Sequence, residues 1–61
     1  TPNYDALFDK HFISFDDSGN IIISSVLSSS HVSSLGISTA AQIEVSELMK
    51  PYLARHRKKL R

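Results

Sequence analysis

The chain has 61 residues, with seven Lys and Arg, six Asp and Glu, no Cys and no Trp. This length allows one small unit with a thin core, because such a chain buries only about 60% of its unfolded surface. Without Cys it has no disulfide framework, zinc ribbon or thiol nucleophile, which disfavours a secreted mini-protein. No apolar run exceeds three residues, as in residues 21–23, which is far shorter than the roughly 20 residues that span a membrane. We therefore expect no membrane partner and a cytoplasmic location.

The first residue is Thr1 rather than Met. Two interpretations stay open. The chain is either a processed piece of a longer protein, or a protein whose initiator Met was removed before a small residue.

The first predicted element is a helix over residues 1–10. Thr1 suits the N-cap, and Pro2 suits the first helical position because its missing N–H would be unpaired there. We expect the helix to end near Lys10, with His11 in the C-cap region, where Gly is more usual. Its apolar face follows helical spacing: Tyr4, Leu7 and Phe8.

A β-hairpin is predicted next. Two β-rich runs, residues 12–15 and 21–24, flank a loop of Asp, Ser, Gly and Asn. Such a loop favours a tight turn with Gly19 or Asn20 in the left-handed conformation. One face of the hairpin should carry four apolar side chains, those of Ile13, Phe15, Ile21 and Ile23.

The next segment, residues 24–38, is rich in serine and is compatible with a linker. Apolar residues interrupt it, however, and they favour one or two helical turns over residues 29–35, stopped by Gly36. Residues 40–45 are predicted as a short strand or an extended segment, and Ser46 could cap a brief turn.

The last predicted helix begins near Pro51, and its end should fray. Its apolar stripe is expected to pack into the core: Met49, Tyr52, Leu53, His56 and Leu60. The predicted fold is therefore a small α+β unit over residues 1–61, with an N-terminal helix, a β-hairpin, a short turn or strand segment and a C-terminal helix.

The charge is strongly asymmetric along the chain. Residues 1–49 carry six acids and one base, which sums to −5, whereas residues 50–61 carry six bases and no acid. The basic end could contact phosphates. It could equally be a solvated helix end whose cations complement the helix dipole. The candidate phosphate-binding residues are Lys50, Arg55, Arg57, Lys58, Lys59 and Arg61.

Few residue patterns indicate a metal. The three histidines, at positions 11, 31 and 56, match no local metal-ligand spacing. Asp5 and Asp9 stand four residues apart on the first helix, so they could share a divalent cation, although capping and solvent contacts are the commoner role for such a pair.

Several segments resemble one group of HNH endonucleases. Residues 4–10, with residues 13–19 and 22–24, are similar to the segment that follows the catalytic core in that group. Residues 51–57 are similar to its closing helix. This chain departs from the group in having His11 where Gly is usual, and Tyr4 or Asp5 where a His often stands.

The resemblance implies a ββα-metal motif for DNA cleavage, in which a strand His activates water and one divalent metal stabilises the leaving oxygen. The helix of residues 1–10 would be the α element, and Asp5, or the neighbouring Tyr4, would fill its last metal position. Mg²⁺ or Mn²⁺ is implied, with Zn²⁺ as an alternative.

The strands that hold the general base would precede Thr1. We therefore expect residues 1–61 to be the C-terminal part of a larger HNH nuclease domain, inactive alone. Its partners would be DNA and either the missing N-terminal part of the same protein or a second chain. The alternative is a non-enzymatic module that binds protein or nucleic acid through its basic C-terminal helix.

Overall fold

The computed structural model describes residues 3–61. Within them the chain forms an N-terminal helix, an antiparallel two-stranded hairpin and two later helices, so the predicted α+β class is confirmed. No helix among these residues has the length and apolar character needed to cross a membrane. In chain order the elements are α1 (Tyr4–Asp9), β1 (Ile13–Phe15), β2 (Ile21–Ile23), α2 (Ser29–Leu35), a 3-10 helix (Glu47–Met49) and α3 (Lys50–Lys58).

Helix α1 begins at Tyr4, later than predicted, because Asn3 provides the cap. The Asn3 side chain accepts a hydrogen bond from the Ala6 N–H at 3.1 Å. The cap and first-turn roles predicted for Thr1 and Pro2 fall outside the described residues. At the other end His11, which the sequence predicts in the C-cap region, has a φ of 64°, the left-handed conformation that Gly usually adopts there.

The hairpin has the predicted pairing. Ile13 lies opposite Ile23 and Phe15 opposite Ile21, so their side chains share one face. In the turn the Asp16 carboxylate accepts the N–H groups of Ser18 and Asn20, each at 2.9 Å. The Asn20 N–H is the main cause that lowers the pKa of Asp16 from its ordinary value.

Gly19 makes the turn and also a close tertiary contact. Its φ is +87°, and its carbonyl oxygen accepts the N–H of Ile43 at 2.9 Å. A neighbouring bridge joins Asn20 to Gln42, and the Ile21 N–H donates to Ala41. Residues 40–45 therefore follow the start of β2 as an extended segment with one isolated bridge, and the alternative of a regular short strand is wrong.

The serine-rich segment contains a short helix, as predicted for residues 29–35. Ser28 caps α2 by accepting the His31 N–H at 3.2 Å, and the His31 ring bonds back to the Ser28 N–H. Gly36 ends the helix at a φ of 71°, as predicted. Beyond it, the Ser38 N–H donates to the Tyr4 hydroxyl at 3.1 Å, which joins this part of the chain to α1.

The 3-10 helix leads directly into α3. Ser46 occupies its N-cap position, but the side chain makes no capping hydrogen bond. Pro51 lies in the first turn of α3, close to the predicted helix start.

The core is small and lies between the hairpin, α1 and α3. Ile13, Phe15 and Leu53 form its buried cluster, with exposures of 0, 7 and 1%. Seven partly buried side chains surround it: Tyr4, Leu7, Phe8, Ile21, Ile23, Val45 and Met49.

The C-terminal end is held rather than frayed, which corrects the prediction. The Arg61 N–H donates to the His11 carbonyl at 2.9 Å, and its Nε donates to the Lys10 carbonyl at 2.7 Å. The Arg61 guanidinium lies over the Phe12 ring, 5.2 Å from its centroid, and the Ser24 hydroxyl donates to the Arg61 carbonyl. These contacts tie the end of the chain to the loop after α1.

Gly19→Ala should destabilise the protein strongly. The added Cβ would overlap the Ile43 carbonyl oxygen and would require an unfavourable φ. We expect a loss of about 3 kcal/mol or more in the free energy of unfolding, measured by urea denaturation. Gly36→Ala is the matched control, because Gly36 shares the positive φ but is exposed, and we expect it to lose only about 1 kcal/mol. Equal losses in the two variants would contradict the role of the Gly19–Ile43 contact.

Candidate nucleic-acid interface

His56 fixes α3 against α1 and β1. Its Nε2 lies 2.7 Å from the Phe8 carbonyl oxygen, and its Nδ1 lies 2.9 Å from Ser14 Oγ. Since a carbonyl only accepts, Nε2 carries a proton and donates to Phe8, while Nδ1 and the Ser14 hydroxyl share the second hydrogen bond. The ring also stacks on Phe8 at 3.7 Å and on His11 at 4.5 Å between centroids. His56 is therefore a structural residue, as its place in the apolar stripe predicted.

Three of the six predicted phosphate-binding residues already have partners inside the fold. Arg57 donates to the Phe15 carbonyl at 2.9 Å and lies 3.4 Å from the Asp17 carboxylate. Lys50 pairs with Glu47 at 2.9 Å, which raises the pKa of Lys50 through that hydrogen bond. Arg61 holds the end of the chain, as described above. Their first role is in the fold, because binding a phosphate would compete with these contacts.

The other three basic residues, Arg55, Lys58 and Lys59, are exposed. Their side chains make no hydrogen bond or salt bridge to any residue in the range 3–61. They line a groove of about 370 Å³ between α3 and the end of α1, which we call the basic groove. Its other lining residues are Asp9, His11, Tyr52 and His56.

Tyr52 is a groove residue that the sequence did not indicate. The apolar stripe placed it in the core, but half of the residue (50%) is exposed. The signal that could have found it is the i, i+3, i+7 spacing of Tyr52, Arg55 and Lys59, which puts an aromatic ring and two cations on one helix face.

Asp5, the predicted metal ligand, is exposed on α1. It lines a second, more apolar pocket of about 350 Å³, to which Tyr52 also contributes, whereas Asp9 lines the basic groove. Among residues 3–61, no group of three His, Cys, Asp or Glu side chains is arranged to hold a metal ion. The assignment of Asp5 stays a prediction.

Tyr4, the alternative for the same metal position, is engaged elsewhere. Its hydroxyl accepts the Ser38 N–H, whereas the Asp5 carboxylate is open to solvent. Of the two, Asp5 has the oxygen atoms better suited to a divalent cation.

Comparisons with models of protein families, with curated proteins and with solved structures found no match to this chain. The resemblance to HNH endonucleases therefore stays a hypothesis that rests on the residues quoted for it.

Substitution of Arg57 should destabilise the protein, whereas substitution of Arg55 should have little effect on its stability. We expect Arg57→Ala to lower the free energy of unfolding by about 1–2 kcal/mol, because it removes a charged donor to a strand carbonyl. Arg55→Ala should change it by less than about 0.5 kcal/mol, as is usual at an exposed site. Urea denaturation of both variants at one pH and salt concentration provides the comparison. Equal effects would contradict the division of the basic residues into structural and exposed sets.

Proposed function

We propose that this chain is the C-terminal portion of a metal-dependent HNH-type DNA endonuclease. Its own roles would be to support the metal-bearing helix and to neutralise DNA phosphates. The observation that supports this proposal best is the direct packing of α1, which carries Asp5 and Asp9, on α3, which carries the exposed bases of the basic groove. Phosphodiester hydrolysis needs both kinds of group close to one substrate.

In this proposal Asp5 supplies a carboxylate oxygen to Mg²⁺ or Mn²⁺, with Zn²⁺ as the alternative. The metal would stabilise charge on the leaving oxygen. One carboxylate cannot activate water in this chemistry, so a general base is required from the N-terminal part of the same protein or from a second chain. The same proposal includes DNA as the substrate and a cytoplasmic location.

A second candidate is a binding module without catalytic activity. It is favoured by the absence of a three-ligand metal group within residues 3–61 and by the three exposed bases of the basic groove. This module would use the same groove for nucleic acid or for an acidic protein, and it would need no metal.

Asp5→Asn should reduce metal-dependent cleavage by about a hundredfold or more if Asp5 is a ligand, because the amide loses the negative charge that holds the cation. The assay is nicking of supercoiled plasmid by the natural full-length polypeptide, with Mg²⁺ or Mn²⁺ and with a chelator. Glu44→Gln is the matched control, since Glu44 is also exposed, and it should leave cleavage unchanged.

Each outcome of this assay has a distinct meaning. Unchanged cleavage by Asp5→Asn would remove Asp5 from the site. DNA binding by the full-length protein without any metal-dependent nicking would favour the non-catalytic module. The N-terminal sequence and intact mass of the natural polypeptide should be determined first, because a strand His followed by Asn before Thr1 would provide the missing general base.

Salt dependence of duplex DNA binding tests the phosphate role independently of cleavage. In the variant with Arg55→Gln, Lys58→Gln and Lys59→Gln, log K should fall less steeply with log salt. The absolute slope should decrease by about 2.7, or about 0.9 for each lost contact. Lys50→Gln should leave the slope nearly unchanged, because that side chain pairs with Glu47. Single Arg55→Gln gives the charge-matched comparison. Equal slopes for Lys50→Gln and Arg55→Gln would contradict the proposed contact surface.

A further inference from the structure

The basic groove combines cations with an exposed aromatic ring on one helix face. Tyr52 and Arg55 lie three residues apart in α3, and Lys59, seven residues after Tyr52, is the C-cap residue of that helix. The row spans about 10 Å at 1.5 Å per residue. Tyr52 is 50% exposed. The row therefore offers a flat π surface at one end and positive charge along the rest.

The side of the groove formed by His11 is packed against the rest of the fold. The His11 ring stacks on His56 at 4.5 Å, and His56 in turn stacks on Phe8. The His11 backbone is held by two hydrogen bonds, because its N–H donates to the Phe8 carbonyl and its carbonyl accepts the Arg61 N–H. A ligand entering here would lose little affinity to ordering of this side, because the rings are already packed.

The net charge of the groove favours an anionic ligand. Its lining carries three basic side chains and one carboxylate, that of Asp9. A groove of about 370 Å³ also falls within the size range of small-ligand sites. Phosphate alone would use the cations and would make no use of the exposed half of Tyr52.

An unpaired nucleotide would use both the aromatic ring and the cations of this lining. Its base can stack on an aromatic ring while its phosphates meet the cations, which is the usual combination for single-stranded nucleic acid. In a duplex the bases are stacked and paired, so a side chain ring cannot reach a base face without unstacking it.

We propose that the basic groove binds an unpaired nucleotide of single-stranded nucleic acid, with the base stacked on Tyr52 and the phosphates on Arg55, Lys58 and Lys59. This inference rests on the proposed function only in taking nucleic acid as the partner. It adds a preference for single strands or strand ends that phosphate contacts alone do not give.

The test compares binding of a labelled oligothymidylate of about twelve nucleotides with binding of a duplex of the same length, using the natural full-length polypeptide. Tyr52→Leu keeps apolar bulk against Phe8 but removes the ring face, so it should weaken oligothymidylate binding by about tenfold and duplex binding by less than about twofold. Tyr52→Phe keeps the ring and should bind as the wild type does. Asp9→Asn, which removes the only acid in the groove, should tighten binding of both probes.

The outcomes separate this inference from the proposed function. If Tyr52→Leu, with its fold verified by thermal unfolding, binds oligothymidylate as the wild type does, stacking on Tyr52 is overturned. If the salt dependence of duplex binding is still weaker in the Arg55, Lys58 and Lys59 variant, the phosphate role remains supported. If the wild type binds neither probe, both proposals fail. If Tyr52→Leu weakens binding of the duplex as much as of the single strand, the preference for an unpaired nucleotide is overturned.

Discussion

The rest of the structure depends on the side chain of His56. Only three apolar residues are buried in the core cluster, so apolar burial alone gives little stabilisation in a chain of this size. His56 adds one hydrogen bond to the backbone of α1, one to a side chain of β1, and stacked contacts with two rings. One residue thus joins the three elements that would otherwise share only a thin apolar contact. Because both ring nitrogens are satisfied, its burial leaves no unpaired polar atom.

The position of His56 also decides which side chains of α3 face solvent. With Leu53 and His56 turned inward, the 3.6-residue period turns Arg57 toward the hairpin and leaves Tyr52, Arg55 and Lys59 at the rim of the basic groove. The six basic residues near the end of the chain are therefore divided into two sets by their positions in the fold. Some of them satisfy strand and loop carbonyls, and others remain available to a ligand.

Local signals were enough to predict most of the elements. The hairpin and its apolar face, the C-cap region at His11, the stop at Gly36 and the start of α3 near Pro51 each follow from neighbouring residues. The errors lie where distant segments meet. Residues 40–45 lie against Gly19 and Asn20, and Arg57 and Arg61 bond to carbonyls more than forty residues away. No local pattern contains such a contact, so the held C-terminus and the partition of the bases could not be read from the sequence.

The same packing links the two proposed roles. A metal on Asp5 would act from α1, and a phosphate on Arg55 or Lys59 would be bound by α3. The two helices are joined at Phe8 and His56 by a hydrogen bond of 2.7 Å and a stacked pair of rings, so they can move relative to each other only if those contacts break. Phosphate binding on α3 would therefore constrain the position of the strand relative to α1, without any contact between the basic residues and the metal. In a nuclease such rigidity contributes to catalysis by holding the scissile bond in place, and in a binding module it contributes only to affinity.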